Sequence, residues 1–185
     1  MNARLHGAER LEDDRRQKTD TRVQRIIHPI PPLYDENCRI LILGSFPSVK
    51  SRETMFFYGH PQNRFWPLLA LLFNEKVPMT VGEKKSLALR HHIALWDTIC
   101  SCTVSGSSDS SIKDVVPNDL SAILDHAAVK RIFCNGSTSY RLYMRHIYPT
   151  TGIEAVKLPS TSPANAAFDM DRLVSEWEQI KGEVS

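Results

Sequence analysis

Residues 40–43, Ile-Leu-Ile-Leu, leave the chain few folding choices. So short a run, wholly apolar and half β-branched, suits a strand covered on both faces, and Gly44 ends it at once. Similar strands are expected at 93–96, 131–134 and 153–158. Helical segments are expected at 67–73, 83–91, from Asn118 or Asp119 to 127, at 140–146, and in a closing helix capped by Asp169. Strands that alternate with helices predict an α/β fold, a three-layer α/β/α sandwich around a central, mainly parallel sheet. Ligands of such sheets bind beyond the carboxyl ends of the strands. The loops after residues 43, 134 and 158 should therefore open on one edge.

Three loop segments carry most of the chemistry. Gly44-Ser45-Phe46-Pro47-Ser48 is a stiff turn in which a glycine lets backbone approach a ligand. Tyr58-Gly59-His60-Pro61-Gln62-Asn63-Arg64-Phe65-Trp66 gathers aromatic, imidazole, amide and guanidinium groups; it also reads as a plain helix lead-in, with Asn63 as cap and Phe65 and Trp66 as core. Leu158-Pro159-Ser160-Thr161-Ser162-Pro163-Ala164-Asn165 supplies hydroxyls on stiff turns but no large wedge residue. Between them, Asn135-Gly136-Ser137 at a strand-to-helix turn reads equally as an anion seat or as a capped helix start.

With 185 residues, 42% of them hydrophobic, the chain is long enough for one domain with a full core, placed at residues 29–185. Residues 1–28 hold seven Lys or Arg among five acidic residues and read as a flexible N-terminal extension. A net charge of +2 means that nucleic-acid binding would need a local basic face. The four cysteines, at 38, 100, 102 and 134, lack the spacing of a metal site and read as reduced thiols, three at strand-like positions. No apolar run suggests a membrane span or secretion signal, so a cytoplasmic protein is expected. The segment 101–111, rich in Ser and Gly, has no usable period and reads as a long functional loop.

The three segments, in this order, resemble motifs of the uracil-DNA glycosylase superfamily, over roughly residue 35 to the closing helix. YGHPQNRFW is similar to a segment of its mismatch-specific branch; GSFP and PSTSPAN resemble the deoxyinosine, or hypoxanthine-DNA, glycosylase branch. The resemblance implies a uracil-DNA glycosylase-like fold and a monofunctional enzyme of base excision repair, which flips deoxyinosine out of DNA and hydrolyses its N-glycosidic bond. Phe46 stands where uracil-excising relatives carry Asn or Asp, so a standard uracil site is not expected. The other readings are a mismatch-specific uracil or thymine glycosylase, an inactive damaged-DNA-binding relative, and a small-molecule α/β hydrolase.

On that resemblance, Asn63 is the leading candidate to hold the attacking water, with Ser45 behind it, and His60 could donate to the departing base. Gly44, Phe46, Pro47, Tyr58 and Asn135 would form the base pocket, Tyr58 as the stacking ring. Ser160, Thr161 and Ser162 would grip phosphates, and Pro163, Ala164 and Asn165 would probe the gap in the stack. Lys50 and Arg64 are candidates for backbone neutralisation. The expected partner is DNA containing deaminated bases, bound by a monomer without cofactor, metal or iron–sulfur cluster.

Overall fold

The computed structural model describes residues 24–104 and 112–184. Its centre is a four-stranded parallel sheet in the order β3-β2-β6-β7, with β2 at Ile40–Gly44, β3 at Ile93–Asp97, β6 at Arg131–Asn135 and β7 at Ala155–Leu158. β2 is buried along its whole length, as its run of aliphatic residues predicts. Its side chains alternate between two cores. Ile40 and Ile42 enter one with α2 (Phe65–Leu72), α3 (Val81–Arg90) and α7 (Met170–Trp177). Leu41 and Leu43 enter the other with α4 (Ser121–Leu124) and α5 (Ser137–His146). Two helical layers therefore enclose the sheet, and the expected three-layer α/β/α sandwich is what the chain forms.

The helix ends follow local chemistry. α3 starts at Val81, before the expected residue 83, because Thr80 and Glu83 form a reciprocal capping box. α2 starts at Phe65, ahead of Pro67, because the Asn63 side-chain oxygen accepts the Phe65 N–H at 3.0 Å. The helix expected up to residue 127 is only the single turn of α4. Asn118 does not cap it, since its amide donates instead to the Asp97 and Ile99 carbonyls at 2.8 and 3.1 Å. Asp169 caps α7 as expected, accepting the Arg172 N–H at 2.9 Å.

A second, antiparallel sheet was not expected. It orders β1 (Gln24–Ile27), β4 (Ile99–Val104) and β5 (Lys113–Pro117) as β1-β4-β5. Residues 24–27 thus leave the expected extension and pair with β4, from Gln24 opposite Val104 to Ile27 opposite Ser101. Residues 1–23 lie outside the described residues. Residues 101–104, read as the start of a loop, are strand; 105–111 are likewise outside the described residues. β4 follows β3 after Thr98 alone, and Thr98 is anchored by its N–H and hydroxyl to the Gly44 carbonyl at 2.8 and 2.9 Å. From β1 the chain passes the carboxyl end of β3, where His28 N–H donates to the Cys100 carbonyl at 2.7 Å, and runs on beside β3, with Leu33 paired to Leu95. Among the described residues, no helix is long and apolar enough to cross a membrane.

Candidate active site

The carboxyl ends of β2, β3, β6 and β7 meet as expected, and the turn after β2 opens onto a cavity of about 170 Å³. Phe46, Pro47, Tyr58, Asn63, Asp97 and Ser162 are among its walls. Gly44 is required here: a Cβ on it would lie 2.1 Å from Asp97 Oδ1. Arg52 braces the turn, donating to the Pro47 carbonyl at 2.8 Å with its guanidinium 5.9 Å from the Phe46 ring centre. Ser48 caps α1 (Val49–Thr54), and Ser51 of that helix accepts the Gly59 N–H at 3.0 Å. The first two motif segments are thereby tied together.

Tyr58 forms an aromatic wall. Its ring stacks on Phe65 with centroids 3.8 Å apart and planes at 25°, so one face is backed by the core and the cavity meets a rigid support. Its backbone takes a left-handed φ of 53°, a strain typical of functional positions. The hydroxyl is buried without a hydrogen-bond partner among the described residues. Burial, and then the neighbouring Asp97 carboxylate, push the phenol well above its usual value, so it stays protonated and a donor.

Asn63, Thr161 and Asn135 form a relay between the second and third motif loops. Thr161 is fully buried; its hydroxyl donates to Asn63 Oδ1 at 3.0 Å and accepts from Asn135 Nδ2 at 2.9 Å. Asn135 Oδ1 in turn accepts the Thr161 N–H at 3.0 Å. Two expectations are corrected by this geometry. Thr161 holds the loop in place and has no surface left for a phosphate, and Asn135 turns its amide to Thr161, with the Tyr58 hydroxyl close beside it, behind the cavity wall and not in it. Gly136, with its φ of 97°, packs under Ser160, where a Cβ would come within 3.1 Å of the serine Cβ. That turn buttresses the third loop.

Arg64 is also reassigned. Its guanidinium donates to the carbonyls of Thr161, Ser162, Asn165 and Phe168, and its backbone N–H to Thr161 O at 3.1 Å. A cation whose fork is filled by loop carbonyls positions that loop and is not presented to DNA. Lys50 is held by Glu53 at 2.7 Å on the surface. At Ser160 and Ser162 each hydroxyl oxygen accepts a backbone N–H, from Ser162 at 3.2 Å and Ala164 at 3.3 Å, and each hydroxyl remains a donor. Pro163 and Ala164 are exposed at the tip, while the Asn165 amide turns inward to the Ser160 carbonyl at 2.9 Å.

Two catalytic candidates lie off the cavity wall. His60 Nδ1 accepts the Gln62 N–H at 3.1 Å within its own turn, and Ser45 is not among the lining residues. In their place the structure brings a pair that the sequence reading missed. His28 Nε2 lies 2.7 Å from Asp97 Oδ2, with side-chain exposures of 2% and 7%. Asp97 closes β3 directly beside Gly44, its partner in the sheet register. A carboxylate at the carboxyl end of a parallel strand was the signal that could have found it.

The model of the Uracil DNA glycosylase superfamily matches residues 31–181. Two similar proteins are named Hypoxanthine DNA glycosylase. One, from Methanosarcina acetivorans, is 38% identical over 154 residues, covering 81% of this chain and 94% of its own. The other, from Methanosarcina barkeri, is 37% identical over 139 residues, covering 73% and 85%. An NMR solution structure of a Methanosarcina acetivorans protein proposed to be a uracil DNA glycosylase superimposes with a TM-score of 0.73 at 34% identity, covering 86% of this chain and 99% of that one. With the fold, the ordered motif loops and these matches in agreement, the chain belongs to the uracil-DNA glycosylase superfamily.

Proposed function

We propose that this protein is a monofunctional DNA glycosylase that releases hypoxanthine from deoxyinosine in DNA. The observation that carries the reading is the cavity itself: an aromatic wall of Tyr58 backed by Phe65, the apolar Phe46, and polar groups from Asn63, Asp97 and Ser162 around a space of about 170 Å³ at the carboxyl edge of the sheet. Such a space suits one flat, polar-edged heterocycle lifted out of its stack. The names of the two Methanosarcina relatives support hypoxanthine as that base.

In the reaction the C1′–N9 bond breaks and its electron pair leaves with the purine, while a water oxygen bonds C1′ and loses a proton, and the departing purine gains one to leave as neutral hypoxanthine. Asn63 has its oxygen committed to the Phe65 N–H and the Thr161 hydroxyl, which leaves Nδ2 as its polar atom toward the cavity. Asn63 therefore acts as a donor, to the purine nitrogen that gains charge or to the water oxygen, and not as a base. Ser160 and Ser162 hold flanking phosphates, with Pro163 and Ala164 at the gap in the stack.

The test is base release from duplexes carrying one deoxyinosine or one deoxyuridine, with wild type, Asn63→Ala and Asn63→Asp. The expected outcome is hypoxanthine release that falls roughly 100-fold in Asn63→Ala, the cost of one preorganised donor. Release of uracil in preference to hypoxanthine would favour the mismatch-uracil reading. Binding without release of either base would favour a damage-binding protein.

A further inference from the structure

A flipped base enters its pocket with the edge farthest from the sugar leading, so the deepest polar group meets that edge and groups at the mouth meet the glycosidic bond. Asp97 is the carboxylate of the cavity wall and, 5% exposed at the end of β3, lies about as deep as Ser51 at 3%, while Asn63 and Ser162 are only part-buried. Its carboxylate is held by His28, and the residue and its imidazole partner are braced by neighbours. His28 accepts the Ile30 N–H on Nδ1 at 3.2 Å, which fixes the proton on Nε2, and that proton is donated to Asp97 Oδ2 at 2.7 Å. The Phe46 ring meets the imidazole edge to face at 5.9 Å. The Asp97 carbonyl accepts from Asn118 at 2.8 Å. One oxygen is thus spent on His28, and the other, Oδ1, lies over Gly44, where only a glycine leaves it room.

An ionised carboxylate accepts hydrogen bonds and donates none. The far edge of hypoxanthine offers one ring donor, N1–H, beside its keto oxygen; the same ring position in adenine or unsubstituted purine carries a bare lone pair. Resting on the hypoxanthine reading above, we propose that Asp97 is the residue that selects the base, Oδ1 accepting N1–H of the flipped hypoxanthine, with His28 as the positioning residue that aims it. Guanine has two adjacent donors that suit a two-oxygen fork. With Oδ2 already taken by His28, its 2-amino group goes unmatched. Asp97 belongs to recognition, not to the attack on C1′.

The test compares affinities for uncleavable 2′-fluoro duplexes carrying inosine, 1-methylinosine or the unsubstituted purine nucleoside, using wild type, Asp97→Asn and His28→Ala. Wild type should prefer inosine over the other two by roughly 10- to 100-fold, the discrimination expected of a well-made polar contact to a base edge. Asp97→Asn, whose amide can rotate to donate, should erase the preference over purine, and His28→Ala should weaken it. If Asp97→Asn fails to fold, the 1-methylinosine arm on wild type decides alone, because that base keeps its keto oxygen and lacks N1–H. An unchanged preference in Asp97→Asn beside a lost rate of release would make Asp97 a catalytic group and overturn the proposal. Equal wild-type affinity for inosine and 1-methylinosine overturns it as well. If wild type releases no hypoxanthine from ordinary inosine duplexes, the proposed function falls and this inference with it; release with no discrimination sinks this inference only.

Discussion

The Thr161 hydroxyl donates to Asn63 Oδ1 at 3.0 Å across 98 residues of sequence. That bond gives the amide its direction: with the oxygen turned to Thr161 and to the first N–H of α2, the nitrogen is left for the cavity. A residue in the third motif loop thereby sets the orientation of a candidate catalytic group in the second.

Thr161→Val should expose that dependence. The substitution keeps the volume and removes a buried hydroxyl that bonds both Asn63 and Asn135, a loss of about 1–3 kcal/mol. Urea unfolding should show a loss in that range, and single-turnover release of hypoxanthine should fall further than the stability change alone would cause. Thr161→Ser should recover most of both. Equal activity of the Val and wild-type proteins would show that Asn63 does not need the relay.

Arg64→Gln distinguishes a loop staple from a phosphate contact. Arg64 spans the carbonyls of Ser162 and Asn165 at 2.8 and 3.0 Å, so its loss should loosen the loop and weaken binding to an uncleavable inosine duplex. The slope of log affinity against log salt should stay as in wild type. A slope smaller by about 0.9, the change for one lost phosphate contact on duplex DNA, would return Arg64 to the DNA interface.

The parts of the fold legible in the sequence were those with a local signature. Ile40–Leu43 ending at Gly44 marks a central strand by composition alone, and the Gly, Ser and Pro loops mark strand ends. In the helical layers, α7 follows from its apolar stripe and α2 from its almost wholly apolar run. β1 has no such mark: Gln24-Arg25-Ile26-Ile27 is almost wholly exposed and is held to β4 through backbone hydrogen bonds, which leave side chains unpatterned. Arg64 reads in sequence as a cation available to phosphate because its acceptors are carbonyls, which every residue has. His28 and Asp97 stand 69 residues apart, one in a segment that reads as tail. Only the pairing of that segment with β4 and then β3 brings them together.

The thiols offer a check on the packing. Burial pushes Cys134 up to about 12, and burial, with Asp35 beside it, does the same to Cys38. Both stay protonated at pH 8 and are shielded, so iodoacetamide should spare them in the native protein. Cys100 is the part-exposed thiol of the set and should be alkylated first. Peptide mass spectrometry after timed labelling reads the order. Modification of Cys134 as fast as Cys100 would mean that the β6 side of the sheet opens readily.

Gly44→Ala tests the tightest approach in the site. The added methyl would lie 2.1 Å from Asp97 Oδ1 and 3.4 Å from its Cγ. The carboxylate has little freedom to swing aside, since Oδ2 is held at 2.7 Å by a buried imidazole. The crowding should cost about 1–3 kcal/mol of stability, the range for overpacking, and should displace the carboxylate enough to abolish selective base release. The clash is specific to one side chain, so the double variant Gly44→Ala with Asp97→Gly should lose much less stability than the two single changes summed. Strict additivity would show that alanine disturbs the β2 turn itself, and that the glycine serves the backbone and not the carboxylate beside it.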